Sequence, residues 1–266
     1  MGLGFLAGCA AADPMSPPTL FSHIVVVIEE NHSFGDIIGS SDAPYINQIA
    51  SSGALFSNAY GIEHPSEPNY LDLFSGGNQG VTDDSCPHTF TGSNLALSLI
   101  QAGKSFAGYS EDLPYSGYTG CASGTYRRKH NPWVNFANLP DTVNLPMSAF
   151  PSDYSQLPSV SFVIPGLETD MHDGTIGAAD AWLRAHFSGY LDWAMKNNSL
   201  LIVTWDESEG SAGNHIPLII AGSHVKPGVY DERVDHYSLL RTIEDIELVA
   251  PIGASVAARP ITGVWK

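Results

Sequence analysis

Positive charge is what this sequence has least of. Eleven Lys and Arg stand against 28 Asp and Glu, for a net charge of −17. Nucleic acids and anionic lipid surfaces bind through basic patches, so neither is expected as a bulk partner. Cysteine is scarce too, at three residues, and their spacing is not a metal-binding one. No stretch is long and apolar enough to span a bilayer, and no segment repeats. What is present is ordinary for a globular chain: 43% hydrophobic and 15% charged residues, which excludes wholesale disorder. A length of 266 residues is enough for one large domain with a sizeable core.

The chain opens with MGLGFLAGCAAAD. Leu6-Ala7-Gly8-Cys9 resembles the lipobox of bacterial lipoproteins, in which the Cys is lipidated after cleavage. A basic n-region is missing, so the segment reads as the tail of a shortened signal peptide. Residues 1–21 are therefore assigned to leader and linker, and 22–266 to a single domain. This implies an extracytoplasmic protein, either secreted or tethered to the bacterial surface through a lipidated Cys9. Cys86 and Cys121 then remain, and an even pair in an exported chain is a disulfide candidate.

Residues 23–29 contain the β-branched run Ile24-Val25-Val26-Val27-Ile28, suited to a strand buried on both faces of a parallel sheet. Further strands are expected at 54–56, 105–109, 160–164, 200–205 and 216–221. Helices are expected at 94–102, at 179–197 and after Asp235, which can cap a helix carrying Leu239, Leu240, Ile243 and Ile246. Residues 114–126, rich in Gly, Ser, Thr and Tyr, read as a long loop. Strands alternating with helices predict an α/β fold with a mostly parallel sheet, whose site lies beyond the carboxyl ends of the strands.

Polar clusters follow two of the best strands: Glu29-Glu30-Asn31-His32 and Asp206-Glu207. Parallel strands bring such ends to one edge, where hard oxygen ligands would hold a divalent cation, Asn31 adding a carbonyl oxygen. Ser66 lies between Pro65 and Pro68 on a stiffened backbone that suits a nucleophile, and coordination to a metal would activate its hydroxyl. Arg127-Arg128-Lys129-His130 is a dense basic run in an acidic chain and offers donors for a phosphate. Asp170-Met171-His172 and Asn214-His215 place His near metal ligands. His236 reads as a helix-start or packing residue, and Ser33 and Phe34 as supports of the metal loop.

In order, these segments resemble the bacterial phosphoesterase family that joins acid phosphatases with non-specific phospholipases C. The segments are Val27-Ile28-Glu29-Glu30-Asn31-His32-Ser33-Phe34, His64-Pro65-Ser66-Glu67-Pro68-Asn69, Lys129-His130-Asn131-Pro132, Asp170-Met171-His172, Thr204-Trp205-Asp206-Glu207 and His215-Ile216-Pro217. The resemblance runs from about Ile24 to Ile246 and is nearest to the small secreted acid phosphatases, some of which act on phosphoinositides. It implies an α/β/α sandwich of alkaline-phosphatase type. It also implies that Glu30, Asn31, Asp206 and Glu207 hold a metal beside Ser66, and that Lys129 and His130 bind phosphoryl oxygens. Asp170, His172 and His215 correspond to a second metal site, or to phosphate-binding and proton-transfer groups. One divalent ion is expected, with room for a second. His32 stands where relatives often have Arg, and Gly35 where they have Asp.

The expected chemistry is hydrolysis of small phosphomonoesters or phosphoinositides through a phosphoseryl intermediate, with His172 or His215 protonating the leaving group. The alternatives are a phospholipase C that cleaves phosphodiester lipids and a non-catalytic surface lipoprotein that binds a metal or anion. The extra C-terminal material of the larger phospholipases is not seen in this sequence, which argues against the first. A sulfatase is disfavoured because Ser66-Glu67-Pro68-Asn69-Tyr70 lacks the Arg of the Cys/Ser-x-Pro-x-Arg segment.

Overall fold

The computed structural model describes residues 21–266 except 211 and 212. The lipobox resemblance at Leu6–Cys9 lies outside the described residues. The strands are β1 (His23–Glu29), β2 (Ala54–Tyr60), β3 (Phe106–Ser110), β4 (Ala122–Ser123), β5 (Tyr126–Arg127), β6 (Asn144–Pro146), β7 (Val160–Ile164), β8 (Ser199–Trp205), β9 (His215–Gly222), β10 (Gly228–Tyr230) and β11 (Val234–Asp235). The α-helices are α1 (Phe34–Ile37), α2 (Pro44–Ser52), α3 (Ser66–Ser75), α4 (Leu95–Gln101), α5 (Ile176–Ala194) and α6 (His236–Glu247).

Among the described residues, nine strands form one sheet in the order β10-β2-β9-β8-β1-β7-β3-β6, with β11 also on β2. Pairing is parallel except around β9, which runs antiparallel to both β8 and β2. Every residue of β8 and all but the first of β1 are buried, so both faces of the sheet centre are covered. Alternating polar residues would leave one face wet; the unbroken apolar runs require helices on both sides. Helix α2 packs with α5, while α3, α4 and α6 pack with one another. The result is a three-layer α/β/α sandwich. Full burial of each Val, Leu or Ile contributes roughly 1.5–3 kcal/mol, so the strands at the sheet centre dominate the core.

Three helices go beyond the sequence reading, the short α1 together with α2 and α3. Helix α2 starts at Pro44, a residue suited to a first turn, and ends at Ser52 with Gly53 as its C-cap. All ten residues of α3 are buried, so it shows no polar stripe by which periodicity could find it. The 179–197 helix begins earlier, at Ile176, where the Thr175 side chain caps the Ala178 N–H. Asp235 caps α6 through the Ser238 N–H at 2.9 Å. The 114–126 segment is mostly loop but ends in the β4–β5 hairpin, and Cys121 within it is bonded to Cys86, their Cα atoms 5.9 Å apart.

Trp133 anchors the segment after the basic run. Its indole N–H donates to Asn144 Oδ1 at 2.9 Å, and its ring lies where Gly108 leaves room. A Cβ on Gly108 would meet that ring at 2.0 Å. No helix among the described residues is long and apolar enough to cross a membrane.

Candidate active site

Because β1 and β8 pair in parallel, with Glu29 opposite Trp205, the residues that follow them leave the sheet side by side. The Asp206 N–H extends the ladder to the Glu29 carbonyl at 3.0 Å. The Asn31 N–H donates to Asp206 Oδ1 at 3.2 Å. Asn31 is left-handed, at φ 51°, a conformation that Asn tolerates better than most residues. It thus joins the site through its backbone. Glu30 and Asp206 are buried, and Glu207 nearly so.

Ser66, between Pro65 and Pro68, is the first residue of α3. Pro65 precedes the helix, and Pro68 falls in its first turn, where the missing N–H would have no intrahelical partner. The Ser66 hydroxyl donates to Glu30 Oε2 at 3.0 Å and lies 3.4 Å from Glu207 Oε1. The approach to Ser66 is held by Asn69. Its Oδ1 accepts the N–H groups of Ile62 and Glu63, and its Nδ2 donates to the carbonyls of Glu63 and Pro65.

Lys129 and His130 form a short 3-10 turn beside this group. His130 Nε2 is 3.1 Å from Glu30 Oε1, and its Nδ1 is 3.6 Å from Asp170 Oδ2. Its ring stacks on Tyr70 with centroids 5.2 Å apart, and the Tyr70 hydroxyl donates to Glu30 Oε1 at 2.6 Å. Asp170 accepts the His172 N–H at 2.8 Å. His172 Nε2 lies 3.5 Å from Lys129 Nζ. The Lys129 ammonium donates to Asp84 Oδ2 at 2.7 Å, and Asp84 Oδ1 accepts the Glu67 N–H at 3.0 Å.

Four carboxylates thus share a buried space, and each resists ionisation. Burial pushes Glu30 well up, and Asp206 and Asp170 add to it. Burial followed by Glu207 raises Asp206, and burial followed by Asp84 raises Glu207. Asp170 is raised chiefly by burial, with Asp206 next among the charges that add to it. Burial, with Lys129 next, holds His130 well below the usual histidine range, which leaves a ring nitrogen lone pair. Asp206 Oδ2 and Asp170 Oδ2 are buried and have no hydrogen-bond donor. Repelling carboxylates with open lone pairs suit a hard cation. Ligand atoms of Glu30, His130 and His172 also lie within 4.8 Å of one another, so the donor set extends to the imidazole side of Glu30. The residues present therefore fit a divalent metal.

The structure brings together Glu30, Ser66, Asp206, Glu207, Lys129, His130, Asp170 and His172. It places His215 elsewhere. The His215 ring is sandwiched between Phe34, at 4.8 Å, and Tyr60, at 5.2 Å, and its Nε2 meets the Ser57 carbonyl at 3.0 Å. Among the described residues, no hydrogen bond or ion pair links it to Ser66 or the carboxylates. Its surroundings are those of a packed structural ring, against which Phe34 stacks. His236 is buried as the first residue of α6, its Nε2 on the Trp205 carbonyl at 3.0 Å.

Three site residues escaped the sequence reading. His64 Nδ1 contacts Glu207 Oε2. Tyr70 lies one helical turn after Ser66 and would have been found had α3 been read as a helix. Asp84, in a Gly- and Asp-rich stretch, carries no spacing signal at all.

Residues 40–250 match the model of the Phosphoesterase family. A phosphatidylinositol-3-phosphatase of Mycobacterium tuberculosis is 50% identical over 248 residues, covering 92% of this chain and 83% of that one. A probable acid phosphatase of Kluyveromyces lactis is 29% identical over 248 residues, covering 84% of this chain and 58% of its own length. The chain thus spans little more than half of that yeast relative. Among solved structures, an alkaline phosphatase superfamily protein from Vibrio parahaemolyticus superposes with a TM-score of 0.61 at 13% identity, over 92% of this chain and 71% of that one. The C-terminal periplasmic domain of EcEptC from Escherichia coli, in complex with Zn, gives 0.57 at 11% identity, over 89% and 87%. At such identities the likeness is one of fold.

Proposed function

Since the chain belongs to the Phosphoesterase family and is a phosphoric-ester hydrolase, we propose that it is a metal-assisted phosphomonoesterase acting through Ser66. The observation that carries this reading is the 3.0 Å contact of Ser66 Oγ with Glu30 Oε2, inside a ring of buried carboxylates and at the start of a helix. Glu30, Asp206, Glu207 and Asp170, with His130, would hold the metal. When bound, a divalent ion lowers the pKa of a nearby hydroxyl and offsets phosphoryl charge.

The chain's own groups do the rest. Ser66 Oγ, its proton released to solvent, attacks phosphorus in line, forming the serine–phosphorus ester as the bond to the leaving oxygen breaks. Lys129 Nζ and the Glu67 N–H at the start of α3 neutralise the equatorial oxygens. His172 protonates the departing alkoxide from Nε2, as an imidazolium whose Nδ1 lies 2.7 Å from Asp173 Oδ1, which orients the ring. Water then cleaves the phosphoserine and restores Ser66.

The relative that is 50% identical directs the substrate search to phosphoinositide monoesters. The Cys86–Cys121 disulfide supports a site of action outside the cytoplasm, free or tethered through Cys9. The test is a panel of phosphomonoesters, phosphoinositides and phosphatidylcholine, run after chelation and metal add-back. Phosphate release from the monoesters, restored by metal, is expected. Choline phosphate release from phosphatidylcholine without monoester turnover would overturn the proposal.

A further inference from the structure

Two donors are suited to a phosphoryl group here, and both are already occupied. The Glu67 N–H lies in the first turn of α3, directly after Ser66, where helix backbone donors point outward without intrahelical partners. Lys129 supplies the ammonium beside it. Asp84 takes both: Oδ1 accepts the Glu67 N–H at 3.0 Å and Oδ2 accepts Lys129 Nζ at 2.7 Å. Its two oxygens bridge a backbone amide and a cation, the same pair that two oxygens of a phosphoryl group would bridge.

Asp84 does not belong to α3 or to the sheet. It comes from the 77–94 segment and sits two residues before Cys86, which is bonded to Cys121. That segment is pinned again at His88, whose carbonyl accepts Arg128 Nη2 at 2.7 Å. The two ties present the carboxylate to the site without burying it. The Asp84 side chain keeps 31% exposure, so it has a way out into solvent.

We propose that Asp84 is a built-in anionic occupant of the phosphoryl cradle, which the substrate must displace before Ser66 can attack. This rests on the reading of Ser66, Lys129 and the Glu67 N–H as phosphoryl-binding groups. Displacement makes Asp84 a specificity-determining residue. A dianionic phosphate monoester can outcompete one carboxylate for an amide and an ammonium. A singly charged diester or a sulfate ester competes less well, because its charge per oxygen is lower.

The test is calorimetric titration of inorganic phosphate into the full chain carrying Ser66→Ala, alone and with Asp84→Asn or Asp84→Ser. Asn keeps an acceptor for the Glu67 N–H but loses the ion pair, whereas Ser releases both donors. A cradle occupied roughly nine-tenths of the time weakens apparent affinity about tenfold, so phosphate should bind about tenfold more tightly to the Ser variant, with the Asn variant between. Circular dichroism melting identifies any variant that fails to fold. In the Ser66 background, Asp84→Asn should lower KM for a phosphomonoester by a larger factor than it changes kcat. Equal or weaker phosphate binding in both variants would overturn the inference and make Asp84 a support for Lys129. If phosphate binds none of the proteins, the cradle assignment itself falls and takes the inference with it. If phosphate binds more tightly to the variants of a chain that turns over no phosphomonoester, the inference stands while the proposed activity fails.

Discussion

Asn69 and Asn214 donate their side-chain amides to a single carbonyl, that of Glu63, at 2.8 and 2.9 Å. Asn69 comes from α3 and Asn214 from the residue before β9, so the bend leading to Ser66 is clamped from both sides. Asn214 Oδ1 also accepts the Ser208 N–H at 2.8 Å, which ties the same bend to the strand end that carries Asp206 and Glu207. Replacing the fully buried Asn69 with Ala removes four hydrogen bonds and leaves backbone groups unsatisfied. The expected cost is roughly 2–4 kcal/mol of stability, read by denaturant unfolding. Turnover should fall at least as steeply, and an unchanged kcat would show that Ser66 is aimed by something else.

Ser66→Ala removes the oxygen proposed to attack while leaving the helix start intact. Turnover should drop roughly 10³-fold or more. The melting temperature should hold within a few degrees, and the phosphate label trapped on wild-type protein by acid quench should vanish. Retained label on the variant would assign the nucleophile to another residue.

Metal addition should raise the melting temperature of wild-type protein, by an amount equivalent to about 2.7 kcal/mol when the ion is at a hundred times its Kd. Glu30→Gln should lose most of that gain, because Glu30 is the carboxylate shared by the Ser66 side and the imidazole side of the site. Differential scanning fluorimetry with and without a chelator reads this directly. An identical metal response in both proteins would locate the ion elsewhere.

Gly61→Ala tests how closely two strand ends approach. A Cβ there would stand 2.7 and 2.8 Å from the Asn214 side-chain atoms and 2.8 Å from the Asp206 carbonyl. Over-packing of this kind costs about 1–3 kcal/mol. The displaced strand end carries the Asp206 carboxylate, so weaker metal affinity should accompany the lower stability. A variant with wild-type melting and metal binding would show that the bend has slack.

Two buried acids away from the proposed metal ligands predict the pH dependence of stability. Burial pushes Glu244 up from 4.5 to about 7, although its carboxyl accepts the Ile252 N–H and meets Ser255 Oγ. Burial likewise pushes Asp72, which accepts the Tyr237 hydroxyl, up from 3.8 to about 7. Each binds its proton more tightly in the folded state. The resulting stabilisation is complete below the unfolded values and is lost as pH rises towards the folded ones. Within that window each group removes up to about 1.4 kcal/mol per pH unit. Glu244→Gln offers the same acceptor and a donor for Ser255 with no proton to lose. Its stability relative to wild type should therefore rise across the window, and a flat difference would refute the shift.

How much of this could be read from sequence depended on burial geometry. β1 and β8 were legible because strands covered on both faces are unbroken apolar runs, and their acidic sequels followed from parallel pairing. Helix α3 was not legible, since a helix enclosed on every side has no stripe, and with it went Tyr70 and the true setting of Ser66. His215 opens β9 straight after a polar segment, so its sequence neighbours suggested chemistry. Only the aromatic rings that come from Phe34 and Tyr60 reveal its packing role. Asp84 reaches the site because a cross-link and a carbonyl contact fold its segment back, and neither leaves a local pattern.

The enclosure of α3 also governs how activity is lost. Amide exchange opens frayed ends and surface loops first, and its slowest protons belong to segments that come apart only with the whole molecule. Ser66 is seated on such a segment. Heat inactivation should therefore track whole-molecule melting, with no partly opened, inactive form preceding it, and the amides of residues 70–75 should be among the last to exchange.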